Sequence, residues 1–159
     1  MTIEGKGEQQ APAEDRLIAA PITHDVGFLL AKLHAAGSVL NNQALAEFKL
    51  KERSYSVLIL ANSALEPTQR EMADFLSLDP SQIVALVDEL EKRGLVVRAP
   101  GKLDRRAKTV TATAKGGQLL AQAAAAARRA EAEALTGLAD EEVTTLKFLL
   151  RKALWARTE

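Results

Sequence analysis

Five basic residues stand between positions 98 and 108: Arg98, Lys102, Arg105, Arg106 and Lys108, against one acid, Asp104. The stretch reads RAPGKLDRRAK, and its Pro and Gly mark a loop. Guanidinium and ammonium groups on a loop pair with polyanions. An Arg can also grip one phosphate through two N–H groups at once. Asp104, two residues before Arg106, can hold that Arg side chain by a paired hydrogen bond. The whole chain carries 21 basic and 21 acidic side chains over its 159 residues. Residues 49–116 hold 12 basic and 9 acidic residues, so the positive charge is local. A local polyanion contact accounts for this asymmetry. A chance fluctuation of surface composition is the plainer alternative.

Other chemistries have little to stand on. The chain has no Cys, which removes disulfides, zinc–thiolate sites and thiol nucleophiles. His24 and His34 are ten residues apart, about 80° round a helix, and do not form the i, i+4 pair of a metal site. The Ser and Thr residues are scattered, neither His has a visible carboxylate partner, and no Gly-rich phosphate loop is present. Neither an enzyme nor a bound cofactor or metal is expected. Aromatic residues make up 4% of the chain, too few for broad base-stacking platforms. No apolar run approaches the length of a membrane span, and the N-terminus has no signal-peptide core. The expected location is cytoplasmic, with residues 1–22 as a flexible N-terminal tail.

The elements that must carry the basic loop follow from periodicity and capping. Residues 24–48 have helical apolar spacing. Residues 53–63 read as a second helix, apolar almost all round and therefore buried. Thr68 and Glu71 form a capping box, after which Met72, Ala73, Phe75 and Leu76 supply a core face. Asp79 and Pro80 then start a new helix, and Gly94 ends it in a left-handed cap. Ile83, Leu86, Val87 and Leu90 share the inner face of that helix. Ser81, Ala85 and Asp88 lie opposite, flanked by Gln82, Val84 and Glu89. Residues 95–98 and 108–113 read as strands of a hairpin whose tip is the basic loop, Ala99–Ala107. Thr113 caps an Ala-rich helix that runs to about Leu135, and a last amphipathic helix closes the chain. The fold class is mainly α with a small β-hairpin: a winged helix-turn-helix with a helical dimerisation region. The boundaries are 51–113 for the winged domain, and 23–50 with 114–159 for the dimerisation region. A β-hairpin directly after two short helices is a wing, which places its basic tip against phosphates or a minor groove.

The stretch TQREMADFLSLDPSQIVALVDELEKRGLVVRAPGKLDRRAKTVTATAKG resembles the winged helix-turn-helix of the MarR family of bacterial transcriptional regulators. The Asp-Pro-Ser opening, LVDELEKRGLV and the Asp-x-Arg of the wing (Asp104, Arg106) carry the resemblance, which extends over about 26–155. It implies a homodimer whose first and last two helices form the interface. It also implies two winged domains on a pseudo-palindromic double-stranded DNA operator. Many members are repressors released by small phenolic or aromatic-acid ligands.

The residues expected at DNA are Gln69, Arg70, Ser81, Gln82, Ala85, Lys102, Asp104, Arg105 and Arg106. Ser81 and Gln82 are placed to read base edges, with Gln paired to adenine, or else only cap and solvate the helix start. Gln69, Arg70 and Lys102 are phosphate candidates, whereas Arg93 has a structural role. His34 and Tyr55 are candidates for a small-molecule effector pocket, or else core or interface residues. Trp155 packs in the dimer interface or stacks on a ligand. There are departures from the family pattern. Ala85 and Glu89 stand where Arg or Lys is frequent, and Val84 stands where a small hydroxyl residue is common. Ala139 replaces a capping Ser or Thr, leaving Asp140 as the expected cap. The rival to a DNA-binding regulator is a winged-helix module used for protein–protein contact.

Overall fold

The computed structural model describes residues 16–101 and 108–156. Among the described residues these elements follow in order: α1 Val26–Leu45, α2 Glu52–Ala61, α3 Gln69–Leu76, α4 Pro80–Lys92, β1 Val96–Pro100, β2 Lys108–Ala112, α5 Ala114–Ala134 and α6 Asp140–Trp155. Short 3-10 turns precede α1 at Pro21–His24 and follow it at Ala46–Phe48. The chain divides into two compact units, one ending at Ala36 and the other beginning at Gly37.

In the first unit the Asp25 carboxylate starts α1 by accepting the Phe28 N–H at 2.7 Å. Val26, Leu29, Leu30 and Leu33 are all exposed on this half of the helix.

The second unit holds the core. Leu45, Val57, Leu58, Met72, Ile83 and Val87 are fully buried, joined by Leu90, Leu95, Val96 and Val110. The remainder of α1 is fastened to α2 by polar groups. The Asn42 Oδ1 accepts the Glu52 N–H at 2.9 Å, satisfying one of the donors that a helix start leaves open. Its amide donates to the Ser38 carbonyl, and the Ser38 hydroxyl donates to the Glu52 carboxylate. Contrary to the reading of α2 as buried all round, only Ser54, Val57, Leu58 and Ala61 are buried, and Ile59 is 43% exposed.

The hairpin pairs antiparallel, from Val96 opposite Ala112 to Pro100 opposite Lys108. β1 therefore reaches two residues further toward the tip than the expected 95–98, because Ala99 and Pro100 continue the ladder, while β2 starts at Lys108 as expected. The start of α3 joins the same sheet: Thr68 bridges Thr109, and the Val110 N–H donates to the Pro67 carbonyl at 2.9 Å. At the other end the Leu95 carbonyl accepts the Thr113 N–H at 2.9 Å. Gly116 of α5 lies against that same carbonyl, where an added methyl group would overlap the Leu95 backbone. The Thr113 hydroxyl accepts the Gly116 N–H at 3.0 Å, as the cap expected from the sequence.

Two further expectations are corrected. Phe75 is 63% exposed and stacks parallel to Trp155, with ring centroids 6.4 Å apart, so α3 turns only Met72 and Ala73 fully inward. Asp140 does not cap α6. It is the first helical residue, and the Glu142 carboxylate reaches back to accept the Ala139 N–H at 2.8 Å. No residue of α6 is buried, and Phe148, Leu149 and Leu154 are more than half exposed.

Candidate nucleic-acid interface

Local chemistry fixes how the two short helices present their first turns. At α3 the Thr68 hydroxyl accepts the Glu71 N–H at 3.2 Å, and the Glu71 carboxylate accepts the Thr68 N–H at 2.7 Å. The bond from the Thr68 N–H, and then one from the Thr68 hydroxyl, hold the Glu71 carboxyl below its usual pKa. Arg70 is exposed on the turn that this box defines. Gln69 is half-buried, and its oxygen accepts a hydrogen bond from the Arg98 Nε at 2.9 Å.

At α4 the Asp79 carboxylate accepts both the Ser81 hydroxyl, at 2.5 Å, and the Ser81 N–H, at 2.8 Å. Those two bonds, the hydroxyl first, lower the Asp79 pKa. The Gln82 Oε1 accepts the Asp79 N–H at 3.2 Å, closing a second capping box. Ser81, Gln82, Val84 and Ala85 are exposed, while Ile83, Val87 and Leu90 lock the opposite face into the core. Bidentate pairing of Gln82 with adenine needs both its oxygen and its amide N–H. With the oxygen in the cap, the amide N–H groups are the part ready to meet a base acceptor.

Arg98 is the residue whose role sequence reasoning missed. Its charge was counted with those of the basic loop; it lies in β1, within the strand expected over 95–98, and its side chain is 21% exposed. Its Nη2 donates to the Asp88 Oδ1 at 2.5 Å, its Nη1 donates to Glu91, and its backbone N–H donates to the other Glu91 oxygen at 3.1 Å. Burial alone would lower the Arg98 pKa, but hydrogen bonds to Asp88 and Glu91, and their charges, outweigh it and raise it. One guanidinium thus ties the hairpin to α3 through Gln69 and to α4 through two acids. The signal lay in the spacing: Asp88 and Glu91 are three apart on one helix face, just before a strand that brings a cation back over them.

Arg93 has the structural part expected of it. Its guanidinium donates to the carbonyls of Lys49, at 2.6 Å, and Phe48, at 2.8 Å. The Lys115 ammonium donates to the Arg93 carbonyl at 2.7 Å. Lys102, Asp104, Arg105 and Arg106 lie outside the described residues, while Lys108 is exposed at the start of β2. His34 is exposed and falls in the first unit, whereas Tyr55 is half-buried on α2 in the second. Burial raises the Tyr55 pKa, and the charge of Arg128 partly opposes it. Among the described residues, no group of three or more His, Cys, Asp or Glu is placed to hold a metal ion. Among the same residues, no helix is long and apolar enough to cross a membrane.

The arrangement is a helix-turn-helix followed by a two-stranded wing, and known proteins share it. A family model described as MarR family matches residues 53–107. The structure of CouR from Rhodococcus jostii RHA1, bound to p-coumaroyl-CoA, is 40% identical over 86% of this chain and 96% of its own, with a TM-score of 0.77. A MarR-family transcriptional regulator from Rhodococcus sp. RHA1 is 39% identical over 87% of this chain and 98% of its own, with a TM-score of 0.80. The Mycobacterium tuberculosis MarR-family protein Rv2887, in complex with p-aminosalicylic acid, is 25% identical over 80% of this chain and 97% of its own, with a TM-score of 0.69. With the wing, both capping boxes and near-complete coverage of two relatives at this identity, the chain belongs to the MarR family of transcriptional regulators.

Proposed function

We propose that this chain binds double-stranded DNA sequence-specifically, as a homodimer on a pseudo-palindromic operator, and acts there as a cytoplasmic repressor. Residues 51–113 make the DNA contact, and 23–50 with 114–159 make the dimer. The observation that carries the reading is the outer face of α4. Its first turns leave Ser81, Gln82 and Ala85 exposed, while its two hairpin-side acids are both paired with Arg98, which halves their net charge. The exposed apolar side chains of α1 and α6 support the dimer, since faces of this kind are covered in assemblies. Arg70, Lys102, Arg105 and Arg106 supply phosphate contacts, with Asp104 positioning Arg106.

The effector is a small aromatic or phenolic acid or its coenzyme A thioester. CouR with p-coumaroyl-CoA and Rv2887 with p-aminosalicylic acid support this class. Tyr55 and His34 are the side chains proposed for the ligand. The test is genomic footprinting of the purified protein, with and without p-coumaroyl-CoA or salicylate. The expected result is an inverted repeat of roughly 15–20 bp, protected on both halves and released by one of these ligands. Protection of one half only would contradict the dimeric reading, and no protection anywhere would contradict DNA binding.

A further inference from the structure

We infer that Val84 is a specificity-determining residue that packs against the C5-methyl group of a thymine in the major groove. The inference rests on the DNA-binding reading above. Val84 is 44% exposed on the second turn of α4. Folding does not ask for it there. A β-branched side chain in an exposed helix interior lowers helix propensity, and its apolar surface gains nothing from water. The same branching makes it a rigid knob, because one χ1 rotamer dominates in a helix. Little side-chain freedom is lost when such a residue meets a partner.

The neighbours of Val84 explain what that partner is. Val84, Asp88 and Glu91 stand at i, i+4 and i+7, along one flank of the helix. Left alone, two carboxylates on this flank would repel phosphates. Arg98 binds both, so the cluster carries one net negative charge instead of two, and both carboxylates are turned to the guanidinium. On the adjoining turn, the Ser81 hydroxyl and the Gln82 oxygen are both engaged at Asp79. The groove-side surface of the first turns is therefore apolar at Val84 and Ala85, beside the donor groups of Gln82. On the major-groove edges of the four bases, the one apolar group is the thymine methyl. A branched, neutral, exposed side chain near the N-terminal end of the helix, the end that meets base edges, fits that group.

The experiment starts by selecting a duplex from a randomised pool with the full-length protein. Each thymine of the selected duplex is then replaced in turn by uracil, which removes only the methyl group. Wild-type protein should lose about fourfold in affinity at one thymine per half-site, the equivalent of burying one methyl. Val84→Ala should bind the parent duplex more weakly by a similar factor and should no longer respond to uracil at that position. Its responses at other thymines should be unchanged. Wild-type indifference to uracil at every position overturns the inference, as does a Val84→Ala protein that keeps the full set of uracil responses. Failure to enrich any duplex would instead overturn DNA binding itself. Val84 is exposed, so the substitution leaves the core intact, and an unchanged unfolding transition confirms that the readout concerns binding.

Discussion

Arg98 shows how a single residue changes the electrostatics of the whole interface. Its side chain is 21% exposed, and its partners Asp88 and Glu91 are 48% and 39% exposed. Water therefore screens the pair, and Arg98→Ala should lower stability by only about 1 kcal/mol in urea unfolding. The effect on DNA should be larger than that loss implies, because two carboxylates are released beside the phosphates. Adding Asp88→Asn to Arg98→Ala should recover part of the affinity; a double variant weaker than the single would show that the acids are not the cause. Gln82 carries a second expectation. Gln82→Ala should change sequence preference, costing about 1–3 kcal/mol at one base position per half-site. Uniform weakening across sequences would assign Gln82 to the Asp79 cap alone. Both residues were visible in the sequence as types, and capping of the helix start was one reading of Gln82, but the partners of Arg98 were not legible. Asp88 read only as an outward position of the helix and Glu91 had no assigned role, and only the return of β1 over α4 places Arg98 on them.

At the scale of elements, the caps were legible because capping is local. Thr68 with Glu71, Asp79 with Pro80, Thr113 and the left-handed Gly94 all stand where side-chain chemistry put them. Tertiary contacts decided the rest. Phe75 fits the helical apolar period but faces outward onto Trp155, and Ala139 leaves its cap to Glu142. The two boxes predict a pH dependence. Hydrogen bonds hold Glu71 and Asp79 below their ordinary values of 4.5 and 3.8. A lowered folded pKa gives stability that is full above the unfolded value and is lost as pH falls through the folded one. Thermal unfolding should therefore shift down below about pH 4.5, and Glu71→Gln should flatten that part of the profile. A Glu71→Gln profile parallel to wild type would assign the acid loss to other carboxylates. Gly116 gives an independent test of how α5 docks on the hairpin. Gly116→Ala should destabilise by about 1–3 kcal/mol or more, since the methyl meets backbone at Leu95 rather than a movable side chain. An unchanged denaturation midpoint would contradict that close approach.

At the scale of the molecule, a chain with equal numbers of acids and bases is proposed to hold a polyanion. The charges are separated by position. Acids near the proposed contact are tied to Arg98, and Lys102, Arg105 and Arg106 fall between the two strands in the sequence. α4 has Ala85 and Glu89 on its outer face, and its own cation, the exposed Lys92, stands only in its last turn, so in the proposed complex most of the electrostatic attraction falls to the wing and to Arg70. The helix order and the wing followed from the sequence because each depends on short-range spacing. The relation between two copies did not, because the exposed apolar residues of α1 and α6 name no partner by themselves. The measurement that meets this account most directly is the affinity of wild type and Arg106→Ala for one selected duplex, across about 50 to 200 mM salt. Wild-type affinity should fall steeply with salt. Arg106→Ala should bind at least about tenfold more weakly, with a log–log salt slope smaller by roughly one unit per protomer. Equal affinity and equal slope for the two proteins would contradict a wing that grips phosphate, and with it the proposed division between helix and hairpin.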